Sequence, residues 1–364
     1  MSEIKIEEYL LLSDTACEQR IIAAKTTLGQ RLIILGHHYQ QEAVFKHAHF
    51  SGDSLKLSRQ AAQSAAEYIV FCGVHFMAEV ADILSRPEQK AILPDLSAGC
   101  SMADMADLVH VQQVWKELSH VLGTQERIIP VTYINSAANL KAFCGQQGGI
   151  VCTSSNARQV LQWSFTQGNK VLFFPDQHLG RNTGHQMGIP LEQMVVWDFE
   201  QPQGGLTSKQ IKSAQIILWK GFCGVHQVFQ PQHIDDFLVK YPEAKVIAHP
   251  EASFEVCQKS DAVGSTEFII KTVKESPTST RWLVGTELNL VERLARQFAA
   301  EGKAIHFMSP ITCLCSTMYR IDPQHLLWVL ENLIKGIVVN QITVTPEEAR
   351  LAQLALERMF TVSP

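Results

Sequence analysis

The chain has 364 residues, long enough for two or three ordinary domains, and its 46% hydrophobic and 18% charged content is a globular balance that excludes a disordered polypeptide. A formal charge of −5 argues against nucleic acid as the main partner. The acidic, amphipathic start MSEIKIEEYLLLSD lacks the basic and apolar regions of a signal peptide, and no apolar run nears the roughly 18–20 residues that span a bilayer.

A cytoplasmic protein is therefore expected, in which the nine cysteines stay reduced and form no disulfide framework. The apolar runs are short, rich in β-branched residues and separated by helical patterns such as SLKLSRQAAQSAAEY (54–68), the signature of parallel α/β architecture. In chain order they make three sets. The first is LIILGHH (32–38), YIVFCGV (68–74) and AILPD (91–95); the second is IIPVTYIN (128–135), GIVCTSS (149–155) and KVLFFPD (170–176). The third is KVIAHPE (245–251), DAVGST (261–266) and RWLVGTE (281–287), with QIILWK (215–220) and AIHFM (304–308) as added strands. The expectation is three similar α/β domains with short parallel sheets, at 1–118, 119–230 and 231–315, pointing their strand C-termini at a shared centre. Two closing helices, the first begun by Asp322-Pro323 and the second by Thr345-Pro346-Glu347-Glu348, are capped by these residues and are expected to return to the first domain within 316–364.

Corresponding strands end in corresponding chemistry. Each first strand closes on a polar pair two residues apart: His37 and Tyr39, Tyr133 and Asn135, His249 and Glu251. That spacing directs both side chains to one face at the strand end where parallel sheets bind ligands. Second strands run into small or hydroxyl residues. Third strands end in an acid: Asp95, Asp176 and Glu287.

The cysteines divide in two. Cys17, Cys144 and Cys257 fall in helical patterns and Cys72 and Cys152 in strands, where cysteine packs as a small apolar residue. Cys100, Cys223, Cys313 and Cys315 instead lie in the small-residue turns LSAGCSMAD, GFCGVH and ITCLCSTM, one turn per set. Thiolates arriving from three domains suit zinc, copper(I) or an iron–sulfur cluster. The room left by Gly, Ser and Ala favours a cluster, and three cysteines leave one iron of a four-iron cube open to substrate or water.

The stretches LGHHYQ, SGDSLKLSR, VHFMAE, AGCSMAD, TYINSAA, CTSSNA, FPDQHLGRNTG, GFCGVH, AHPE, DAVGST and CSTM, in this order from about residue 32 to 320, resemble the quinolinate synthase (NadA-type) family. The resemblance implies three α/β domains about a pseudo-threefold axis, around a 4Fe–4S cluster held by one cysteine from each. The corresponding ligands are Cys100, Cys223 and one of Cys313 and Cys315. The family's cysteine stands three residues before a methionine, which Cys315 and Met318 satisfy, although the C-L-C pair departs from the simplest family pattern. The implied activity joins iminoaspartate and dihydroxyacetone phosphate into quinolinate, phosphate and water, with the open iron as Lewis acid. Glu251 is the implied base and Tyr39 its counterpart, with His37, His226 and His249 close by. Ser54, Ser154 and the Ser265–Thr266 pair are read as helix starts, where free amides bind anions as well as caps. With Tyr133, Asn135, His37, His249 and Glu251 they make the expected substrate contacts, with Ser155 beside them. Asp176, His178 and Arg181 match the family too and are expected to organise the cleft. Functional coupling to the aspartate oxidase that supplies the imine is a metabolic expectation.

Other readings are a cluster-dependent dehydratase of another hydroxy acid, an iron–sulfur sensor without turnover, and a zinc hydrolase using His37 and His38. There is no GxGxxG after the first strand, no GKS/GKT loop and no HExxH, so dinucleotide, nucleoside triphosphate and zinc-protease chemistry lack their motifs.

Overall fold

The computed structural model describes residues 3–124 and 126–363. It is an α/β protein with three largely parallel sheets, as the strand pattern predicts. The strands are β1 (Leu32–His37), β2 (Phe50–Gly52), β3 (Tyr68–Cys72), β4 (Lys90–Ile92), β5 (Ile128–Tyr133), β6 (Ile150–Cys152), β7 (Lys170–Phe174), β8 (Met194–Trp197), β9 (Ile216–Trp219), β10 (Lys245–Ala248), β11 (Ala262–Val263), β12 (Arg281–Gly285), β13 (Ala304–Phe307) and β14 (Gln341–Ile342). The central β1, β3, β5 and β7 are buried along their whole length. Helices cover both faces of a parallel sheet, so such strands read as continuous apolar runs without alternation.

The chain forms two compact units. One comprises the chain up to Cys100 with Glu287–Arg293 and Leu314–Thr345. Its sheet has the order β14-β4-β3-β1-β2, with β1 and β3 in parallel register (Leu32 opposite Tyr68) and β14 antiparallel on the β4 edge. Helix Asp14–Leu28, capped by Ser13, packs on helix Pro323–Ile334. Asp322 caps the latter through His325 N at 2.8 Å, as expected.

The other unit comprises Ser101–Thr286, Leu294–Cys313 and the chain from Pro346 on. It holds two sheets, β6-β5-β7-β9-β8 and β11-β10-β12-β13. The added strands at 215–220 and 304–308 are β9 and β13, pairing with β7 and β12. Strands β2, β8 and β14 carry no expectation from sequence. β2 and β14 are three and two residues long, too short for a pattern.

The last helix, Pro346–Val362, corrects an expectation. It packs on helix Ala138–Gln146 and β6 of the second sheet and does not return to the first domain, as helix Pro323–Ile334 does. Its buried stripe Ala352, Ala355, Leu356 and Met359 meets a helix with Gly145 at the crossing, where a Cβ would collide with the Leu351 carbonyl. Arg358 Nη1 then donates to Gly149 O at 2.6 Å. Helical periodicity shows that a stripe is buried but not against which neighbour. No helix among the described residues is long and apolar enough to cross a membrane.

Candidate active site

In the second unit the polar residues that close β5 and β10 meet the cysteine loop after β9. Glu251 lies just beyond β10 and is 3% exposed. Tyr133 Oη donates to its Oε1 at 2.5 Å, His226 Nδ1 stands 2.9 Å from Oε2, and His249 Nδ1 is 3.9 Å from Oε1. The His226 and His249 rings stack, with centroids 4.7 Å apart. Cys223 is the N-cap of the short helix Gly224–Gln227, so its sulfur and the His226 imidazole lie one helical turn apart. Candidate ligand atoms of Cys223, His226 and Glu251 lie within 4.8 Å of one another. A thiolate, an imidazole and a carboxylate at this separation could hold a soft or borderline metal.

Burial works to raise the Glu251 carboxyl, yet the facing His249 and His226 rings and the hydrogen bonds from His226 and Tyr133 hold it below the usual carboxylate range. His249, also buried, is pushed down to about 3 by desolvation and kept neutral, with Glu251 working the other way. The site therefore pairs an ionised carboxylate with a neutral imidazole at ordinary pH. An ionised carboxylate can accept a proton and a neutral imidazole can take one up or pass one on.

The loop that carries Glu251 is clamped from outside. Asn182, buried in helix Gln177–Gln186, donates from Nδ2 to Pro250 O at 2.8 Å, to Ala252 O at 3.0 Å and to Cys257 Sγ at 3.2 Å. Gln227 Nε2 adds a bond to Glu251 O at 3.3 Å. At Tyr133 the turn is braced by Ser136 Oγ to Tyr133 O at 2.8 Å, Thr132 Oγ1 to Ser136 Oγ at 2.9 Å, and the buried Lys141, whose Nζ donates to Ser136 O. Asn182 and Lys141 are absent from the sequence reading. A carboxamide that reaches backbone almost seventy residues on has no spacing signal, and Lys141 reads as a solvated helix residue. The match of FPDQHLGRNTG as a whole was the one signal at Asn182.

Asp176 caps helix Gln177–Gln186 through Leu179 N at 2.8 Å. Burial drives its carboxyl well above the usual range, helped by Glu251 and opposed by backbone N–H groups of Leu179, His178 and Cys223. His178 Nδ1 is buried without a hydrogen-bond partner among the described residues. Desolvation, then the Arg181 charge, lowers His178 to about 4.

The remaining residues fall as follows. Asn135 is half-buried, and its Oδ1 is buried and has no hydrogen-bond partner among the described residues. Ser265 caps helix Thr266–Glu275 through Phe268 N at 3.3 Å, as expected. Ser154 and Ser155 lie in a turn ahead of helix Ala157–Gln167, whose N-cap is Asn156. Asn156 Oδ1 accepts Thr153 N at 2.7 Å, and the helix starts at Ala157 rather than at Ser154. In the first unit the cap of helix Ser54–Gln63 is Asp53, which accepts Lys56 N at 3.0 Å, and Ser54 is the first helical residue. His37 and Tyr39 pack edge to face at 4.7 Å, Tyr39 N donates to His37 Nδ1 at 3.1 Å, and Arg293 Nη1 binds His38 O at 2.8 Å. The spacing of two thus brings together both His37 with Tyr39 and His249 with Glu251.

The cysteines sort as expected. Cys17, Cys72, Cys144, Cys152 and Cys257 are buried, whereas Cys100, Cys223, Cys313 and Cys315 are half-exposed. Burial pushes Cys72 and Cys257 up to about 12 and keeps them thiols. Cys315 is also raised by burial, but the Thr317 hydroxyl and the Met318 and Thr317 backbone N–H groups face its sulfur and work against that.

The sequence profile of the quinolinate synthetase A protein matches residues 19–361. The chain belongs to the quinolinate synthetase A family. Similar curated proteins include the quinolinate synthase of Acidobacterium capsulatum, 53% identical over 357 residues that cover 98% of this chain and 96% of the relative. That of Corynebacterium glutamicum is 51% identical over 359 residues, covering 98% and 90%, and that of a Geobacillus species is 49% identical over 359 residues, covering 98% and 96%. Family membership agrees with the motifs read from sequence and gives the buried Glu251 group a chemical context.

Proposed function

We propose that this protein is a cytoplasmic enzyme that condenses iminoaspartate with dihydroxyacetone phosphate to give quinolinate, phosphate and water. It would work with a 4Fe–4S cluster held by Cys100, Cys223 and Cys315. The observation that carries the reading is Glu251, an ionised carboxylate buried between Tyr133 and His226 in one group with the Cys223 sulfur. Half-exposure of the three ligand cysteines, against five buried ones, suits a ligand role. At Cys315 the Thr317 hydroxyl lies 3.5 Å from the sulfur.

The cluster, when bound, would supply an open iron as Lewis acid for a departing hydroxyl. The chain's own residues do the rest. Glu251 takes a proton from the condensing substrate, while Tyr133 Oη and His226 Nδ1 hold its two oxygens in place. His249, neutral, and Tyr39, positioned by His37, serve the substrate oxygens. Asn135 offers a buried acceptor without a partner among the described residues. Ser54, Ser154, Ser265 and Thr266 offer hydroxyls and, at the helix start Ser265–Thr266, backbone amides for the carboxylates and phosphate. The three sets of strands stand as the proposed repeats 1–118, 119–230 and 231–315. An aspartate oxidase supplying the unstable imine is the proposed functional partner.

The test is anaerobic incubation with freshly generated iminoaspartate and dihydroxyacetone phosphate, followed by detection of quinolinate. Glu251→Gln is expected to keep fold and iron but form no product; full activity in that variant would remove Glu251 from the mechanism.

A further inference from the structure

Within the second unit, a groove of about 480 Å³ lies between strand β13 and helix Pro231–Lys240, inside the roughly 300–1,000 Å³ range of small-molecule sites. The proposed mechanism uses none of the residues that line it. His233, Phe237 and Lys240 recur at helical spacing, so one face of the helix forms a wall. At the base are the buried Leu283 and Met308, on which Phe237 and Phe307 also pack.

Rings crowd this groove. The Phe237 centroid is 5.0 Å from that of Tyr241 and 5.1 Å from that of His306, and the Tyr241 and His306 rings lie nearly parallel at 5.9 Å. Arg281 backs them. Its Cζ is 4.0 Å from the Tyr241 centroid, its Nη1 3.2 Å from His306 Nε2 and its Nε 3.5 Å from Glu243 Oε1. A guanidinium only donates, so His306 Nε2 accepts and the ring proton stands on Nδ1. Desolvation, then the Arg281 and Lys240 charges, lowers His306, in keeping with a neutral ring.

His233 Nδ1 accepts Gln230 N at 3.3 Å, which leaves its proton on Nε2. Ser309 Oγ accepts Ile311 N at 3.1 Å and keeps its own O–H to donate. Lys240 Nζ stands 5.2 Å from the Tyr241 centroid. Two imidazole N–H groups, a hydroxyl and an ammonium therefore sit on residues lining one ring-walled groove. Asp236, the acid on the helix wall, accepts Gln232 Nε2 at 2.6 Å. An aliphatic anion would leave the rings uncovered, and a neutral ring would leave the donors unpaired.

We propose that this groove, which shares no residue with the Glu251 group, binds a planar aromatic carboxylate, its ring against Phe237, Tyr241 and His306 and its carboxylate on His306 Nδ1–H and Lys240 Nζ. Offset and edge-on ring packing holds the plane, and charge-assisted N–H bonds hold the carboxylate. Quinolinate, the proposed product, belongs to this chemical class, but the site stands without that reading.

The test is hydrogen exchange read by mass spectrometry on full-length, anaerobically reconstituted protein, with phthalate as the probe and benzamide and inorganic phosphate as controls. Phthalate is expected to slow exchange in peptides covering 231–241 and 304–310, and neither control should do so at the same concentration. His306→Phe, which keeps a ring, and Lys240→Gln each remove one carboxylate donor and should raise the phthalate concentration for half-protection about 10-fold. Lys240 is exposed, so its variant serves if the other does not fold. Protection by phosphate or benzamide equal to that by phthalate, protection confined to the peptide around Glu251, or variants that bind as tightly as wild type would overturn the inference. Protein that shows this protection yet forms no quinolinate would lose the proposed function and keep the groove.

Discussion

Asn182 offers the sharpest test of how the site is held. Its Nδ2 group donates to two buried backbone carbonyls, Pro250 O and Ala252 O, on either side of Glu251. Asn182→Leu keeps the branched shape and removes the donor. A buried acceptor left without its bond costs about 1–3 kcal/mol. Because one amide nitrogen serves both carbonyls, the loss should be about 2–6 kcal/mol. For a folding unit of this size each kcal/mol lowers the melting temperature by about 2–4 °C, so differential scanning calorimetry should show the variant melting roughly 4–24 °C below wild type. Quinolinate formation should fall further than stability alone explains, since Glu251 rides on the released loop. Asn182→Asp, which sets carboxylate oxygens against the two carbonyls, should be worse than Leu. A Leu variant melting with wild type, or an Asp variant more stable than Leu, would refute the clamp.

Gly145→Ala should loosen the last helix, because its Cβ meets the Leu351 carbonyl and overpacking of this kind costs about 1–3 kcal/mol; faster proteolysis after Pro346 would report it. Cys223→Ser should lose iron while Cys257→Ser keeps it, as read by iron analysis of anaerobically reconstituted protein, and equal loss in both would indicate general destabilisation. The hydrogen bond and charge of Asp322 raise His325, against the desolvation that lowers it. Stability from this pair is therefore fully present below the unfolded histidine value and is lost as pH rises through the folded one. The melting-temperature deficit of His325→Gln should be largest near pH 5.5 and shrink by about pH 8; a deficit independent of pH would show that the charge contributes nothing.

Much of the candidate site was legible before folding. Polar residues two apart at the end of a buried strand share a face by pleat geometry, and this brought His249 beside Glu251 and His37 beside Tyr39. Small residues around Cys100, Cys223 and Cys315 distinguished them from the five cysteines inside helices and strands. The exact helix starts near Ser54 and Ser154 were less legible, because Asp53 takes the cap one residue before Ser54, and Asn156, two residues beyond Ser154, holds the N-cap position without a side-chain bond to its helix.

By itself the sequence determined the α/β class, the order of nearly all the strands, the family, and the residue types that bear the chemistry. These depend on local periodicity, turn composition and motif order, all properties of neighbours along the chain. Only the tertiary structure decided that Asn182 clamps the Glu251 loop and that the last helix lies on Gly145. Each of these joins groups remote in sequence through a directional hydrogen bond or a close steric fit, and no pattern along one strand or helix encodes the partner at the far end.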